Sequence, residues 1–278
     1  MGKKRFFDDR LKYLSFIQNT SEKRAISSEL TPFIASMPQN RTFLRILDAG
    51  TGDGTVKSNV IKTFHKYHPY TSLLITGKEI SYEDLKNTLE KMPDRFVEHP
   101  NLLVTMTNVK FAELGHIENA NKIKNKKVKV YNLILKEDNS FDFHTQINNL
   151  NNFIKKNWGI EIDNKSRTSY SNPCLIRIYR EDHKRYLEPF IDNDYENNNY
   201  DLIIASQAYR AASAVKTKVN NVIAPLMRLL NKSGRLLVTH SCGEDTVEKI
   251  LKIAYKDKKP FPNKAKDIID FLKNNPVG

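Results

Sequence analysis

Phe43-Leu44-Arg45-Ile46-Leu47-Asp48-Ala49-Gly50-Thr51-Gly52-Asp53-Gly54 decides how this chain is read. The first half is an apolar run with the length of a buried strand. The second half sets glycines at alternate positions, and a helix is predicted from Val56 to about Tyr67. Strand, glycine turn and helix follow one another without spacer. Glycines in such a turn tolerate positive φ and let the backbone approach a bound group closely.

Working outward, the alternation continues. Leu73 to Glu79 reads as a second strand, Tyr82 to Met92 as a second helix, and Leu102 to Met106 as a third strand. Far downstream, Tyr200 to Ser206 is apolar on both faces through Leu202-Ile203-Ile204-Ala205, as buried parallel strands are. A helix from Val219 to Leu230 carries Val219, Ile223, Leu226 and Leu230 on one stripe. Asn231-Lys232-Ser233-Gly234 then turns the chain into a strand from Arg235 to Thr239. Strands alternating with helices predict an α/β fold with a doubly wound, mainly parallel, Rossmann-like sheet.

Three further segments complete the predicted organisation. Residues 1–38 form a helical lid, with Phe7, Leu11, Leu14 and Ile17 on one helix and Ile26, Leu30, Phe33 and Ile34 on the next. Asn19-Thr20-Ser21-Glu22 breaks the chain between them. Residues 39–114 and 200–278 form the core, ending in helices from Thr246 to Tyr255 and Lys264 to Leu272. Residues 115–199 read as an inserted α+β cap subdomain. Its strand signals are Val128 to Leu135 and Leu175 to Tyr179, and its helical signals Phe141 to Trp158 and Asp182 to Ile191.

Glu79 closes the second strand, where a carboxylate can accept both ribose hydroxyls as donors. Glycine turn, helix, strand and terminal acid in that order predict a nucleoside site. A dinucleotide site wants G-x-G-x-x-G and a helix N-terminus open to pyrophosphate. Here the pattern is G-x-G-x-G after Asp48, and it resembles the first motif of class I S-adenosylmethionine-dependent methyltransferases. The resemblance implies S-adenosylmethionine as cofactor and S-adenosylhomocysteine as product. It puts Asp48, Gly50, Thr51, Gly52 and Gly54 at the methionine half, and Glu79, Ile80 and Asp84 at the ribose. Asn108 and Val109 fall at the adenine and Ser206 beside the cofactor. Asn108 stands where that family usually has Asp, and it reads equally as a turn-forming residue.

A narrower likeness lies in Tyr13-Leu14-Ser15-Phe16-Ile17-Gln18-Asn19-Thr20-Ser21-Glu22, which resembles the N-terminal helix and turn of histamine N-methyltransferases. Asp201-Leu202-Ile203-Ile204-Ala205-Ser206-Gln207 is similar to that family's fourth strand. The likeness implies Glu22 and Gln207 as residues that hold an amine acceptor, with Tyr209 able to stack on the acceptor or the sulfonium. The implied reaction is N-methylation of a small amine or imidazole-type metabolite. The long insertion and the absence of the family's final strands depart from the pattern. His240 is a candidate general base or a structural strand-end residue; His144, Trp158 and His183 are candidates for the substrate side.

Composition sets the remaining bounds. The 278 residues, 39% hydrophobic, suffice for one sizeable core. No apolar run reaches membrane-spanning length, and Met1-Gly2-Lys3-Lys4-Arg5 leads into no signal-peptide core, so a cytoplasmic protein is expected. Cys174 and Cys242 lack partners at metal or disulfide spacing, so no metal is predicted. The formal charge of +13 raises a second function, methylation of RNA or protein through the basic insertion. Its densest run, Lys122 to Lys129, has no interleaved aromatics and reads as a solvated loop or hairpin edge. Ser206-Gln207-Ala208-Tyr209 also lacks the Asn/Asp-Pro-Pro-aromatic motif of many base N-methyltransferases. A small-molecule acceptor is therefore the favoured partner.

Overall fold

The structure is a computed structural model, and it describes residues 21–117, 121–162, 168–191, 200–206, 208–240 and 261–277. The first predicted lid helix, the Thr246 to Tyr255 helix, Cys242 and Gln207 lie outside the described residues.

Alternation within the strands sets the layers. In β1 (Phe43–Ala49), Leu44 and Ile46 face one side and Leu47 and Ala49 the other. β2 (Ser72–Lys78), β3 (Leu102–Thr107) and β10 (Tyr200–Ser206) are likewise buried almost throughout. A strand buried on both faces needs helices on both, which is the doubly wound arrangement. On one face pack α1 (Glu22–Ala35) and α2 (Thr55–Tyr67), with Leu30, Ile34, Val60, Ile61 and Phe64 in one cluster. α3 (Tyr82–Glu90) and α4 (Pro93–Glu98) add Leu85, Leu89 and Phe96 to it. On the other face a 3₁₀ turn (Phe111–His116) and the segment after β10 supply Leu114, Val222 and Leu226.

The sheet has seven strands in the order β11 (Leu230–Thr239), β10, β1, β2, β3, β9 (Cys174–Arg180), β6 (Lys129–Leu135). β3, β2, β1, β10 and β11 (Leu230–Thr239) run parallel, as the alternation predicted. The α+β insertion is present, but two of its strands belong to this sheet and not to a separate cap. β9 (Cys174–Arg180) pairs antiparallel with β3, and β6 (Lys129–Leu135) pairs parallel with β9. β9 is buried at every position, so only a place inside the sheet satisfies both its faces. The small hairpins β4–β5 (Lys122–Ile123, Lys126–Lys127) and β7–β8 (Ile160–Ile162, Thr168–Tyr170) stand outside it.

Smaller differences have local causes. The single helix predicted from Phe141 to Trp158 is two, α5 (Ser140–Asn148) and α6 (Asn151–Asn157), broken where paired asparagines weaken helix propensity. α7 (Lys184–Ile191) follows β9. The Val219 helix is composite: α8 (Val215–Lys218), a π turn (Val219–Ile223) and α9 (Ala224–Met227). The predicted turn at Asn231 to Gly234 is a bulge within β11, because the register shifts between Tyr200 and Leu202. α10 (Ala265–Asn274) closes the described chain.

Candidate functional site

The site forms where β1 ends and the strand order reverses toward β10, the crevice in which open α/β sheets bind ligands. Gly50, Gly52 and Gly54 all have positive φ, at 102°, 57° and 77°. Lys78 O, at the end of β2, accepts from Gly50 N at 3.1 Å and Thr51 N at 3.0 Å, fastening the loop to the sheet. Thr88 Oγ1 donates to Gly52 O at 3.0 Å from α3. A Cβ on Gly54 would lie 2.7 Å from Thr88 Cα, so only glycine permits this approach. A Cβ on Gly52 would meet nothing within 4 Å. The loop is thus tight below Gly54 and open above Gly52.

Asp48 is 1% exposed and shares its face of the sheet with α2. Oδ2 is buried without a hydrogen-bond partner among the described residues. Desolvation raises the carboxyl to about pH 6, opposed by the charge of Lys57 and a hydrogen bond from Thr51. Lys57 is fully buried, and burial lowers its ammonium to about 8 against the pull of Asp48. Its Nζ lies 3.4 Å from Met106 Sδ and 2.5 Å from where a Gly77 Cβ would stand, so the ammonium packs against the bare backbone of β2.

Glu79 is bound by backbone. Oε1 accepts from Ile80 N and Ser81 N at 2.8 Å each, and Oε2 accepts from Gly52 N at 2.8 Å. One lone pair, on Oε2, stays open to a ligand hydroxyl, where the sequence suggested an acid receiving two. Burial raises this carboxyl, as does nearby Asp84, while Ser81, Lys78 and Gly52 oppose the shift. Asp84, itself buried, lies in the first turn of α3, whose N-cap Ser81 Oγ accepts from Asp84 N at 3.2 Å. Asp48, Gly50, Thr51, Gly52, Gly54, Glu79, Ile80 and Asp84 therefore belong to one rim.

Asp53 was not singled out from the sequence. Oδ1 accepts from Thr55 N at 3.1 Å and Oδ2 from Thr55 Oγ1 at 2.9 Å, which closes the first turn of α2 with a carboxylate. Burial works to raise this acid. Lys23, the Thr55 N–H and Lys91 more than offset that and hold it below the usual carboxylate range. Lys23 pairs with Asp53 from the start of α1, and Lys91 Nζ donates to Asp53 O at 2.7 Å. Half-buried Glu22, next in sequence to Lys23, is thereby carried to the edge of the glycine loop.

The other candidates spread along the rim. Asn108 Nδ2 donates to Asn172 O and its Oδ1 accepts from Cys174 N, both at 2.9 Å, so it clamps β3 to the start of β9. Val109 is buried in the apolar cluster with Leu114 and Leu175. Ser206 ends β10 opposite Thr239. Tyr209 is half-buried, and burial raises its phenol. His240 Nε2 lies 2.8 Å from Asn263 O, an acceptor only, so a neutral ring presents Nδ1 to the Tyr209 hydroxyl at 3.3 Å. Both nitrogens are engaged, and His240 is a structural link. His183 does not line this rim. It contacts Asn101 at the amino end of β3, the opposite edge of the sheet. His144 bonds Asn148 on the exposed face of α5, and Trp158 is 2% exposed within the core.

Lys57 had a legible signal: with Ile61, Phe64 and His68 it occupies the buried stripe of α2, where a lysine has no bland reason to be. Among the described residues no group of three or more His, Cys, Asp or Glu could hold a metal. No described helix is long and apolar enough to cross a membrane.

No family model matches this chain, and no curated protein matches it significantly. One solved structure, the crystal structure of MnmC2 from Aquifex aeolicus, aligns at 12% identity over 89% of this chain and 63% of that chain, with a TM-score of 0.30. The chain thus spans less than two thirds of that protein. An overlap this loose leaves the Rossmann-like assignment to the strand order itself.

Proposed function

We propose that this chain is an S-adenosylmethionine-dependent methyltransferase. The observation that carries the reading is the Asp53 carboxylate at the N-terminus of α2. Asp53 occupies the Thr55 N–H, and Lys23 and Lys91 favour its ionised form. A pyrophosphate would need that helix end and would meet a carboxylate there. A nucleoside cofactor without phosphates meets no such conflict.

The residues present fit such a group. The orphaned Asp48 Oδ2 suits an ammonium, and the space over Gly52 admits a ligand against bare backbone. Glu79 Oε2 has one acceptor position left for a ribose hydroxyl. When bound, S-adenosylmethionine would supply a methyl group already activated on a sulfonium. What this chain must add is position and exclusion of water; a well-aligned pair gains on the order of 7–11 kcal/mol over free encounter.

For the acceptor, a nitrogen of a small amine or imidazole is consistent with Glu22 at the loop's edge, where a carboxylate orients a cationic group. Tyr209 follows β10 at the same rim, and Gln207 lies outside the described residues. A nucleic-acid acceptor is favoured by a different observation, the side chains of Lys127, Lys129 and Lys156 in the insertion, which no described acid neutralises. Purified chain would be incubated with methyl-labelled cofactor and separate panels of amines, RNA and proteins. The reading expects S-adenosylhomocysteine to appear with one panel; no product with any of them, despite bound cofactor, would make the chain a binding protein.

A further inference from the structure

The basic run looked like a plain solvated edge in the sequence because it contains no aromatic residue. The fold changes that. Lys127, Val128, Lys129, Val130, Asn152, Phe153, Lys156 and Asn157 line one cleft of about 540 Å³ between the edge strand β6 and α6. Not every lysine nearby is available: Lys124 pairs with Glu113 and Lys126 with Glu161. The side chains of Lys127, Lys129 and Lys156 make no hydrogen bond or ion pair with any described residue, and the lining contains no acid. α6 contributes Phe153, half-buried and tilted against Tyr131 at 5.0 Å between ring centroids. Val130 is 48% exposed beside it.

We propose that this cleft binds single-stranded nucleic acid. Three unpaired ammonium groups around a recess suit successive phosphates, and a phenyl ring with flanking amides offers a base a stacking face and hydrogen-bond partners. A duplex keeps its base faces inside its own stack and could not use Phe153 as a stacking surface. A membrane surface would want a flat or convex apolar face, and this one is concave.

The position gives the cleft a purpose. Ala49, Lys78, Thr107, Leu175 and Val130 are successive register partners across β1, β2, β3, β9 and β6. The cleft therefore opens on the same rim as the glycine loop. Four strand spacings of about 4.8 Å put it roughly 19 Å from Ala49, a span of a few nucleotides. Binding here does not rest on the transferase reading, since it can be measured without cofactor or turnover.

The test is fluorescence anisotropy of labelled U12 and dT12 oligonucleotides against the full chain between 50 and 200 mM salt. Three phosphate contacts on a single strand predict a log–log salt slope near −2, or about a twentyfold loss over that range. The variant K127Q/K129Q/K156Q should flatten the slope and weaken binding at least tenfold at 50 mM salt. Phe153→Leu keeps apolar volume against Tyr131 and should weaken binding about fivefold or more at unchanged slope. Matching urea midpoints for the variants would establish that both fold. The proposal is overturned if the oligonucleotides fail to bind at 50 mM salt, or if the triple variant binds like the parent. It is equally overturned if Phe153→Leu is silent while heparin competes on equal terms, or if anionic phosphatidylglycerol vesicles bind in place of oligonucleotide.

Discussion

Gly54→Ala and Gly52→Ala form a matched pair, because the two glycines share a left-handed backbone and differ in what surrounds them. At Gly52, φ is 57° and a new Cβ meets nothing within 4 Å. Its cost is the left-handed conformation alone, about 1–2 kcal/mol, reduced by about 0.4–1 kcal/mol because alanine stiffens the unfolded chain. At Gly54, φ is 77° and the Cβ falls 2.7 Å from Thr88 Cα and 2.9 Å from Thr88 Cβ. Backbone cannot swing aside as a side-chain tip can, so overpacking adds about 1–3 kcal/mol. Urea unfolding at pH 7 should therefore show Gly52→Ala within about 1 kcal/mol of the parent and Gly54→Ala lower by about 2–4 kcal/mol. Ligand binding should invert the order of interest: Gly52→Ala keeps its fold and loses S-adenosylmethionine affinity at least about tenfold, because its methyl occupies the open space. Equal stability losses at the two positions would refute the loop's packing. A folded Gly52→Ala protein with undiminished affinity would refute the ligand's place.

Three further outcomes can be checked independently. His99 is fully buried, and burial, followed by the charge of His65, lowers it to about 4, well below the ordinary 6.5. Its Nε2 faces Thr71 O, so a second proton would set two N–H groups against each other across the 3.2 Å contact with His65. A depressed pKa means stability present above pH 6.5 is lost as pH falls toward 4, by about 3 kcal/mol in total; His99→Asn should lose that pH dependence in urea titrations. Lys57→Met should push the Asp48 carboxyl further up, so the pH below which cofactor affinity fades moves above about 6; an unmoved midpoint in Kd between pH 5 and 8 would take Lys57 out of the site's electrostatics. Asn108→Ala strips partners from Asn172 O and Cys174 N and should cost about 1–3 kcal/mol in stability, whereas a loss of cofactor affinity at unchanged stability would assign Asn108 to the adenine.

Much of the fold is legible because burial leaves periodic marks. β1, β2, β3 and β10 fall within a residue or two of their predicted limits, since strands covered on both faces must be apolar almost throughout. The pairing of β9 with β3 leaves no such mark: an antiparallel partner some seventy residues downstream is fixed by which edge remains uncovered, and local sequence does not record that. At the site, the glycines and Glu79 could be named because positive φ and a strand-end acid restrict residue type. Asp53 hid among them, since its role depends on Lys23 arriving from α1. Phe153 and Lys156 come from one stretch of chain and Lys127 and Lys129 from another, and only the packing of α6 on β6 sets them around one cleft.

In the proposed reading, the loop beginning at Asp48 receives a nucleoside bearing a cation and refuses a pyrophosphate. Titration calorimetry of the full chain at pH 7.5 with S-adenosylmethionine, S-adenosylhomocysteine and NAD, in separate runs, tests it most directly. Saturable heat is expected from the first two at a single site, abolished by Glu79→Ala, and none from NAD. Tight binding of NAD together with indifference to both sulfur nucleosides would contradict it.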